Sequence, residues 1–89
     1  MAYRGLSALA SAAVDEGNSD ADAFFSLGLM CSAGASEPAD MISAHKWFNL
    51  AATRGHTEAA RLRWEIAAEM SSHEIADALR AARNWRTQH

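Results

Sequence analysis

Apolar positions recur at helical spacing along most of the chain. The clearest stripe has members three or four residues apart: Ala44, Trp47, Phe48, Ala51 and Ala52. Such spacing is typical of an amphipathic helix with one buried side. Asp40 precedes this stripe as a predicted N-cap, and Gly55 follows it where the chain is predicted to leave the helix in the left-handed conformation. The pattern therefore predicts a helix with a well-defined beginning and end.

Four more helices follow from the same spacing, so the sequence predicts five. They cover about Tyr3–Glu16, the segment from a cap at Asn18 or Asp20 to Gly34, Thr57–Met70, and the segment after Ser71. Ser71 and Glu74 have the Ser-x-x-Glu spacing of a capping box. The predicted inward faces are Ala23, Leu27, Met30 and Cys31 in the second helix, Ala59, Leu62, Ile66 and Met70 in the fourth, and Ile75, Ala82 and Trp85 with either Ala78 or Leu79 in the fifth.

Composition agrees with an all-α fold in a single domain spanning residues 1–89. The chain has 89 residues, of which 49% are hydrophobic, and much of that fraction is alanine, a strong helix former. Because alanine buries little area, the aromatic side chains must supply much of the core. A domain this small can have only a modest core.

Charge is distributed unevenly along the chain. Residues 1–40 carry six acids and one base, a net charge of −5, whereas residues 41–89 carry five acids and seven bases, a net charge of +2. This polarity is compatible with head-to-tail stacking or with a charged partner. An ordinary solvated helical surface is the simpler interpretation and stays open.

The predicted helix ends reveal an internal repeat. Ala13 to Gly17 matches Ala51 to Gly55 at an offset of 38 residues, and Ala21 and Ala59 share that offset. Periods of this size are typical of helical solenoids. The first predicted helix is then a degenerate copy of the third.

One set of small, aromatic and turn-forming residues recurs at defined spacing from residue 23 onward: Ala23, Leu27, Gly28, Gly34, Asp40, Ala44, Trp47, Phe48, Ala51, Ala52, Gly55 and the following His56. With these residues, the segment from residue 23 to residue 55 resembles one module of the Sel1-like repeats, which are related to the tetratricopeptide repeats. The resemblance implies a short right-handed α/α superhelix built from helical hairpins. It also implies a bacterial type of protein.

The chain departs from this pattern after its complete module. The next module begins with Ala59, but Arg63 and Trp64 replace the Leu-Gly pair, and a tryptophan there prevents close helix approach. We therefore divide the domain into a degenerate half-repeat (1–17), a complete module (18–55), the start of a further module (56–70) and a capping helix (71–89). Because solenoids usually need about three repeats, we expect the cap to stabilise the array, with Trp85 packed on Trp64 or Leu62, and self-association is the second choice.

The resemblance implies a small protein–protein interaction adaptor without catalytic activity of its own. The candidate partner-binding residues are Phe24, Arg61, Arg63 and Trp64, since aromatic and arginine side chains dominate binding hot spots. Phe24 stands where the family usually has a polar residue and is the expected exposed anchor. Packing of Phe24 against Leu6 or Leu9 remains the alternative.

The sequence contains no clear motif for a catalytic or metal-binding site. Cys31 has no Cys-His motif around it, and the four histidines lack metal-binding spacing. Glu65 lies one turn after Arg61 and one turn before Glu69, which predicts solvated ion pairing rather than a catalytic carboxylate pair. We therefore expect no enzyme activity, no metal and no cofactor.

Two further functions remain as alternatives to the adaptor. The chain can be a small subunit or regulatory component of a larger complex. Less favoured is nucleic-acid binding through Arg80, Arg83 and Arg86 with Trp85 interleaved, because the sequence pI of about 5.7 is acidic. A single cysteine and the lack of a signal-peptide or membrane-spanning pattern favour a cytoplasmic protein.

Overall fold

The computed structural model describes residues 19–34 and 39–89. Their secondary structure consists of four helices: α1 (Ser19–Ala33), α2 (Met41–Thr53), α3 (Thr57–Ala67) and α4 (Ser72–Gln88). These correspond to the second to fifth predicted helices. The predicted helix over Tyr3–Glu16 and the proposed cap at Asn18 lie outside the described residues.

The buried face of α1 differs from the predicted one. Ala21, Phe24 and Gly28 are buried, whereas Ala23 is exposed and Met30 is 59% exposed. The predicted face of Ala23, Leu27, Met30 and Cys31 is therefore wrong except at Cys31, which is half-buried and packs against the core. The physical reason is that the glycine at position 28 allows α2 to approach on that side. Asp20 lies inside the helix, so its predicted role as the N-cap is wrong as well.

The predicted start and end of α2 are confirmed. The Asp40 Oδ1 atom accepts a hydrogen bond from the backbone N–H of Ser43 at 3.0 Å, and its Oδ2 atom accepts one from the Ser43 hydroxyl at 2.7 Å. These bonds satisfy a donor that the first turn of a helix leaves free. After the helix, Gly55 has a φ of 93°, a conformation that side chains with a Cβ rarely adopt.

Helix α3 begins at Thr57 as predicted and ends at Ala67, three residues before the predicted end at Met70. The N-cap of α3 is His56, whose Nδ1 atom accepts a hydrogen bond from the Ala59 backbone N–H at 3.0 Å. Beyond Ala67, the N–H groups of Glu69 and Met70 bond to carbonyls three residues back, which forms a turn instead of a further α-helical segment.

The last helix opens with the predicted capping box. The Ser71 hydroxyl accepts a bond from the Glu74 N–H at 3.0 Å, and the Glu74 carboxylate accepts one from the Ser71 N–H at 2.9 Å. Between the two residues offered for the inward face, the structure selects Ala78, which is fully buried, over Leu79, which is 46% exposed. The phase of α4 is thereby fixed.

The core lies around α2, which packs against α1, α3 and α4. Phe48 and Leu50 are its largest fully buried side chains. The other members are small or aromatic: Phe24, Ala44, Ala51, Ala59 and Ala82. Since full burial of one Phe or Leu contributes about 1.5–3 kcal/mol, the few large side chains contribute a substantial share of the burial energy. The described part of the chain is thus a small all-α arrangement of four helices packed against one another.

Candidate interaction surfaces

An aromatic cluster joins three helices and contains Phe24. Its ring is stacked on Trp47 of α2 at a centroid distance of 5.8 Å and meets Trp85 of α4 edge-on at 5.0 Å. Trp47 and Trp85 are themselves 6.0 Å apart. Such aromatic pairs stabilise a fold beyond the area that they bury. The expected exposure of Phe24 is therefore wrong, because this side chain is only 7% exposed and belongs to the core. Contacts of Phe24 with Leu6 or Leu9 lie outside the described residues.

Of the two contacts expected for Trp85, the one with Trp64 is wrong, and the one with Leu62 stays a prediction. Trp85 packs on Phe24 and Trp47 and stacks on His89 at 4.1 Å. Trp64 is 79% exposed and lies on the outer side of α3. The cause is the phase of α3, which turns Ala59, Leu62 and Ile66 toward the core and therefore position 64 away from it.

An exposed ion-pair ladder lies beside Trp64. The Arg61 guanidinium bonds to the carboxylates of Glu58 and Glu65, one turn before and one turn after it. The pKa of the Glu58 carboxyl is lowered by its hydrogen bond from Arg61. With two acids and one base, the ladder has a net charge of −1. The predicted solvated pairing of Arg61 with Glu65 is confirmed, and the positive charge of Arg61 is already neutralised within the helix.

Arg63 is separated from this outer face. It is half-buried, and its Nη1 atom donates a hydrogen bond to Oδ1 of Asn49 in α2 at 2.5 Å. Asn49 is itself buried, so the bond joins α2 and α3 inside the protein. Of the four predicted partner-binding residues, the structure therefore brings only Arg61 and Trp64 together on an exposed face.

His45 is a buried polar side chain that the sequence did not single out. It lies one turn before Asn49 in α2, is 3% exposed, and its Nδ1 atom has no hydrogen-bond partner among the described residues. Burial lowers the pKa of His45 below its ordinary value, and the charge of Arg63 lowers it further. The His45 imidazole is therefore neutral at pH 7, near the positively charged Arg63. The sequence indicated this burial only through the position of His45 next to Ala44, at the edge of the apolar stripe.

His56 links α1 to the start of α3. Its Nδ1 atom accepts the bond from Ala59, which assigns the ring proton to Nε2, and Nε2 lies 3.3 Å from Oδ1 of Asp22. The ring is also stacked on Phe25 at 4.2 Å. Both nitrogens therefore serve structural contacts. The His56 side chain caps the start of α3 and connects it to α1.

Cys31 has the surroundings of a structural thiol. It is half-buried against the core, and burial raises the pKa of its thiol, with the Asp40 carboxylate acting in the same direction. A raised pKa keeps the thiol protonated near neutral pH and lowers its nucleophilicity. The predicted inward position of Cys31 is confirmed.

The cationic side of α4 carries an exposed apolar residue. Arg83 and Arg86 are exposed and form no ion pair within the described ranges, whereas Arg80 pairs with Asp77. Leu79 lies one turn before Arg83 and two turns before Arg86. Trp85, the aromatic residue interleaved with these arginines in the sequence, points instead into the aromatic cluster.

Within residues 19–34 and 39–89, no group of three or more histidine, cysteine or carboxylate side chains is placed to hold a metal ion. In the same ranges, no helix is both long enough and apolar enough to cross a membrane. Comparison of the chain with protein-family models, with curated proteins and with solved structures finds no match.

Proposed function

We propose that this protein is a small, non-catalytic protein–protein interaction module that binds through the outer face of α3. The observation that carries the proposal is the 79% exposure of Trp64 beside the Arg61 ladder. A tryptophan is among the residues most enriched at binding hot spots, because it buries a large area at little entropic cost. Phe24 has no part in this proposal, and Arg63 contributes only by fixing α3 on α2.

Helix packing supports the further proposal that the module is a Sel1-like repeat in a short right-handed superhelix. Gly28 of the Leu-Gly pair lies directly against Phe48 of the Trp-Phe pair, so the two motif positions meet across the α1–α2 hairpin. Ala21 and Ala59, which share the 38-residue offset, are both buried. The two equivalent alanines thus occupy similar environments at the starts of α1 and α3.

The sequence left two alternative functions open, a subunit of a larger complex and a nucleic-acid-binding protein. A subunit of a larger complex would use the same face of α3 but remain bound in fixed stoichiometry. Nucleic-acid binding through α4 is disfavoured, because the Trp85 ring packs within the protein and the Arg80 charge is paired with Asp77. Only Arg83 and Arg86 remain for phosphate contacts, which is a small electrostatic footprint.

Affinity capture from the native organism tests the proposal. The baits are the wild-type chain, Trp64→Ala and the matched control Met30→Ala, which truncates an exposed apolar residue on a different helix. We expect partner proteins that are recovered with wild type and Met30→Ala and reduced at least about tenfold with Trp64→Ala, as for a hot-spot residue. Circular dichroism establishes that all three baits are folded. Equal recovery with folded Trp64→Ala contradicts the proposal.

A further inference from the structure

Two exposed faces on different helices have opposite charge. We define the Trp64 face as Glu58, Arg61, Trp64 and Glu65 of α3, and the Leu79 face as Leu79, Arg83 and Arg86 of α4. The first has an exposed aromatic ring beside a net charge of −1. The second has an exposed aliphatic side chain beside a net charge of +2. Each face combines an apolar anchor with a charged border.

The geometry of each helix keeps the members of these faces together. Residues three, four and seven apart lie on one side of a helix, and this spacing joins Arg61 to Trp64 and Leu79 to Arg83 and Arg86. The carboxylates of Glu58 and Glu65 both bond to Arg61, which lies one turn before Trp64. By contrast, Arg80 is neutralised by Asp77 and is left out of the Leu79 face.

We propose that the Trp64 face of one copy of this chain binds the Leu79 face of a second copy. The inference rests on the proposed function and names the partner of that same surface as the protein itself. Charge complementarity selects this occupant: the ring of Trp64 covers Leu79, while Arg83 and Arg86 approach the carboxylates of Glu58 and Glu65. Because the two faces differ, the contact is heterologous, and each dimer keeps one free face of each kind.

Other pairings of exposed faces fit less well. Two Trp64 faces would bring two net-negative ladders together, and two Leu79 faces would bring four arginines together, both of which cost electrostatic energy. The outer side of α1 has exposed Leu27, Leu29 and Met30. Asp20 and Asp22 lie seven residues before the two leucines, but Asp20 is paired with Arg54 and Asp22 contacts His56, so both acids already have partners within the protein. Among these faces of the described helices, only the mixed pairing of α3 with α4 combines apolar contact with opposite net charge.

Sedimentation velocity with the full chain tests the proposal through complementation. Wild type is expected to show a weight-average sedimentation coefficient that rises with concentration and falls with added salt, since the contact contains exposed ion pairs. Trp64→Ala removes the anchor of one face, and Arg83→Glu reverses a charge of the other. Each variant alone is expected to remain monomeric at about ten times the concentration at which wild type is half-associated. Their equimolar mixture is expected to form a 1:1 dimer through the one intact face that each retains.

Several results would overturn the proposal. One is a wild type that stays monomeric at all concentrations, and another is a mixture of the two variants that does not dimerise. Self-association of Arg83→Glu alone would instead indicate a symmetric Trp64 contact. Loss of association in Met30→Ala would indicate the α1 side. A monomeric wild type that still captures other proteins in a Trp64-dependent manner would refute this inference and leave the proposed function standing.

Discussion

Gly28 of α1 lies directly against the ring of Phe48 of α2. A Cβ atom added at position 28 would overlap the Phe48 ring, so the two helices approach as closely as glycine permits. Phe48 and Leu50 are the largest fully buried side chains among the described residues. The contact of Gly28 with Phe48 decides which side of α1 faces inward, and it therefore sets the burial of Phe24 one turn earlier.

Gly28→Ala is expected to destabilise the protein. Overpacking a core contact of this kind costs about 1–3 kcal/mol, which exceeds the roughly 1 kcal/mol that alanine gains over glycine in a helix. The measurement is the free energy of unfolding in urea. Ser26→Ala, at an exposed position of the same helix, is the control and is expected to change that free energy by less than about 0.5 kcal/mol. A Gly28→Ala variant more stable than wild type would show that the helices have room to separate.

Phe24→Ala and Trp64→Ala are expected to lower the free energy of unfolding by very different amounts, because Phe24 lies in the core and Trp64 on the surface. Phe24 contacts Trp47 and Trp85, so its removal is expected to cost about 3–5 kcal/mol. Trp64 is exposed, so its removal is expected to cost less than about 0.5 kcal/mol. Urea denaturation followed by circular dichroism measures both. If Phe24→Ala does not fold, Phe24→Leu provides a milder truncation, expected to cost about 1–2 kcal/mol. Equal costs at positions 24 and 64 would contradict the aromatic cluster.

The starts of α2, α3 and α4 and the end of α2 were predictable from the sequence because they depend on local chemistry. Asp40, His56 and the Ser71–Glu74 pair each bond to backbone groups within three residues, and Gly55 supplies a local backbone conformation. The phase of α1 depends on a different kind of information. Two apolar stripes compete in that helix, and contact with Phe48 favours the one that contains Gly28. The sequence alone could not rank these stripes, since both have helical spacing.

The candidate surface was predicted in part for the same reason. Arg61 and Trp64 share a side of one helix, so their proximity follows from spacing. Arg63 directly precedes Trp64 in the sequence, but consecutive residues on an ideal helix point about 100° apart. Arg63 therefore points away from Trp64 and bonds to Asn49 of α2. Trp85 was expected to pack on Trp64 or Leu62, whereas its ring packs on Phe24 of α1. Contacts between helices far apart in the chain required the structure.

Ser71→Ala is expected to weaken the start of α4. Loss of the capping hydroxyl leaves the Glu74 N–H without its partner and costs about 1 kcal/mol. Ser72→Ala, at an exposed position inside the helix, is the matched control and is expected to be neutral or slightly stabilising. The measurement is the shift in the thermal unfolding midpoint, together with the combined fluorescence of Trp47 and Trp85 in a Trp64→Phe background. An unchanged midpoint in Ser71→Ala would show that the cap does not contribute to stability.

The burial of His45 predicts that the protein becomes less stable in mild acid. Its ordinary pKa is 6.5, and burial together with the Arg63 charge lowers this pKa in the folded state. As the pH falls below 6.5, the unfolded chain takes up a proton that the folded protein excludes. The free energy of unfolding therefore falls, by up to about 1.4 kcal/mol per pH unit, until the pH reaches the lower pKa of the folded state. The contribution of His45 is complete above pH 6.5.

Urea denaturation at a series of pH values between 8 and 5 measures this slope in wild type, His45→Gln and His73→Gln. His73 is exposed, so its replacement controls for the removal of a histidine from the surface. We expect His45→Gln to flatten the pH dependence below 6.5 and His73→Gln to leave the wild-type slope in place. The lowered pKa of Asp40 acts below its ordinary value of 3.8, outside this window. If His45→Gln kept the full wild-type slope, the buried imidazole would not be the group that titrates in this range.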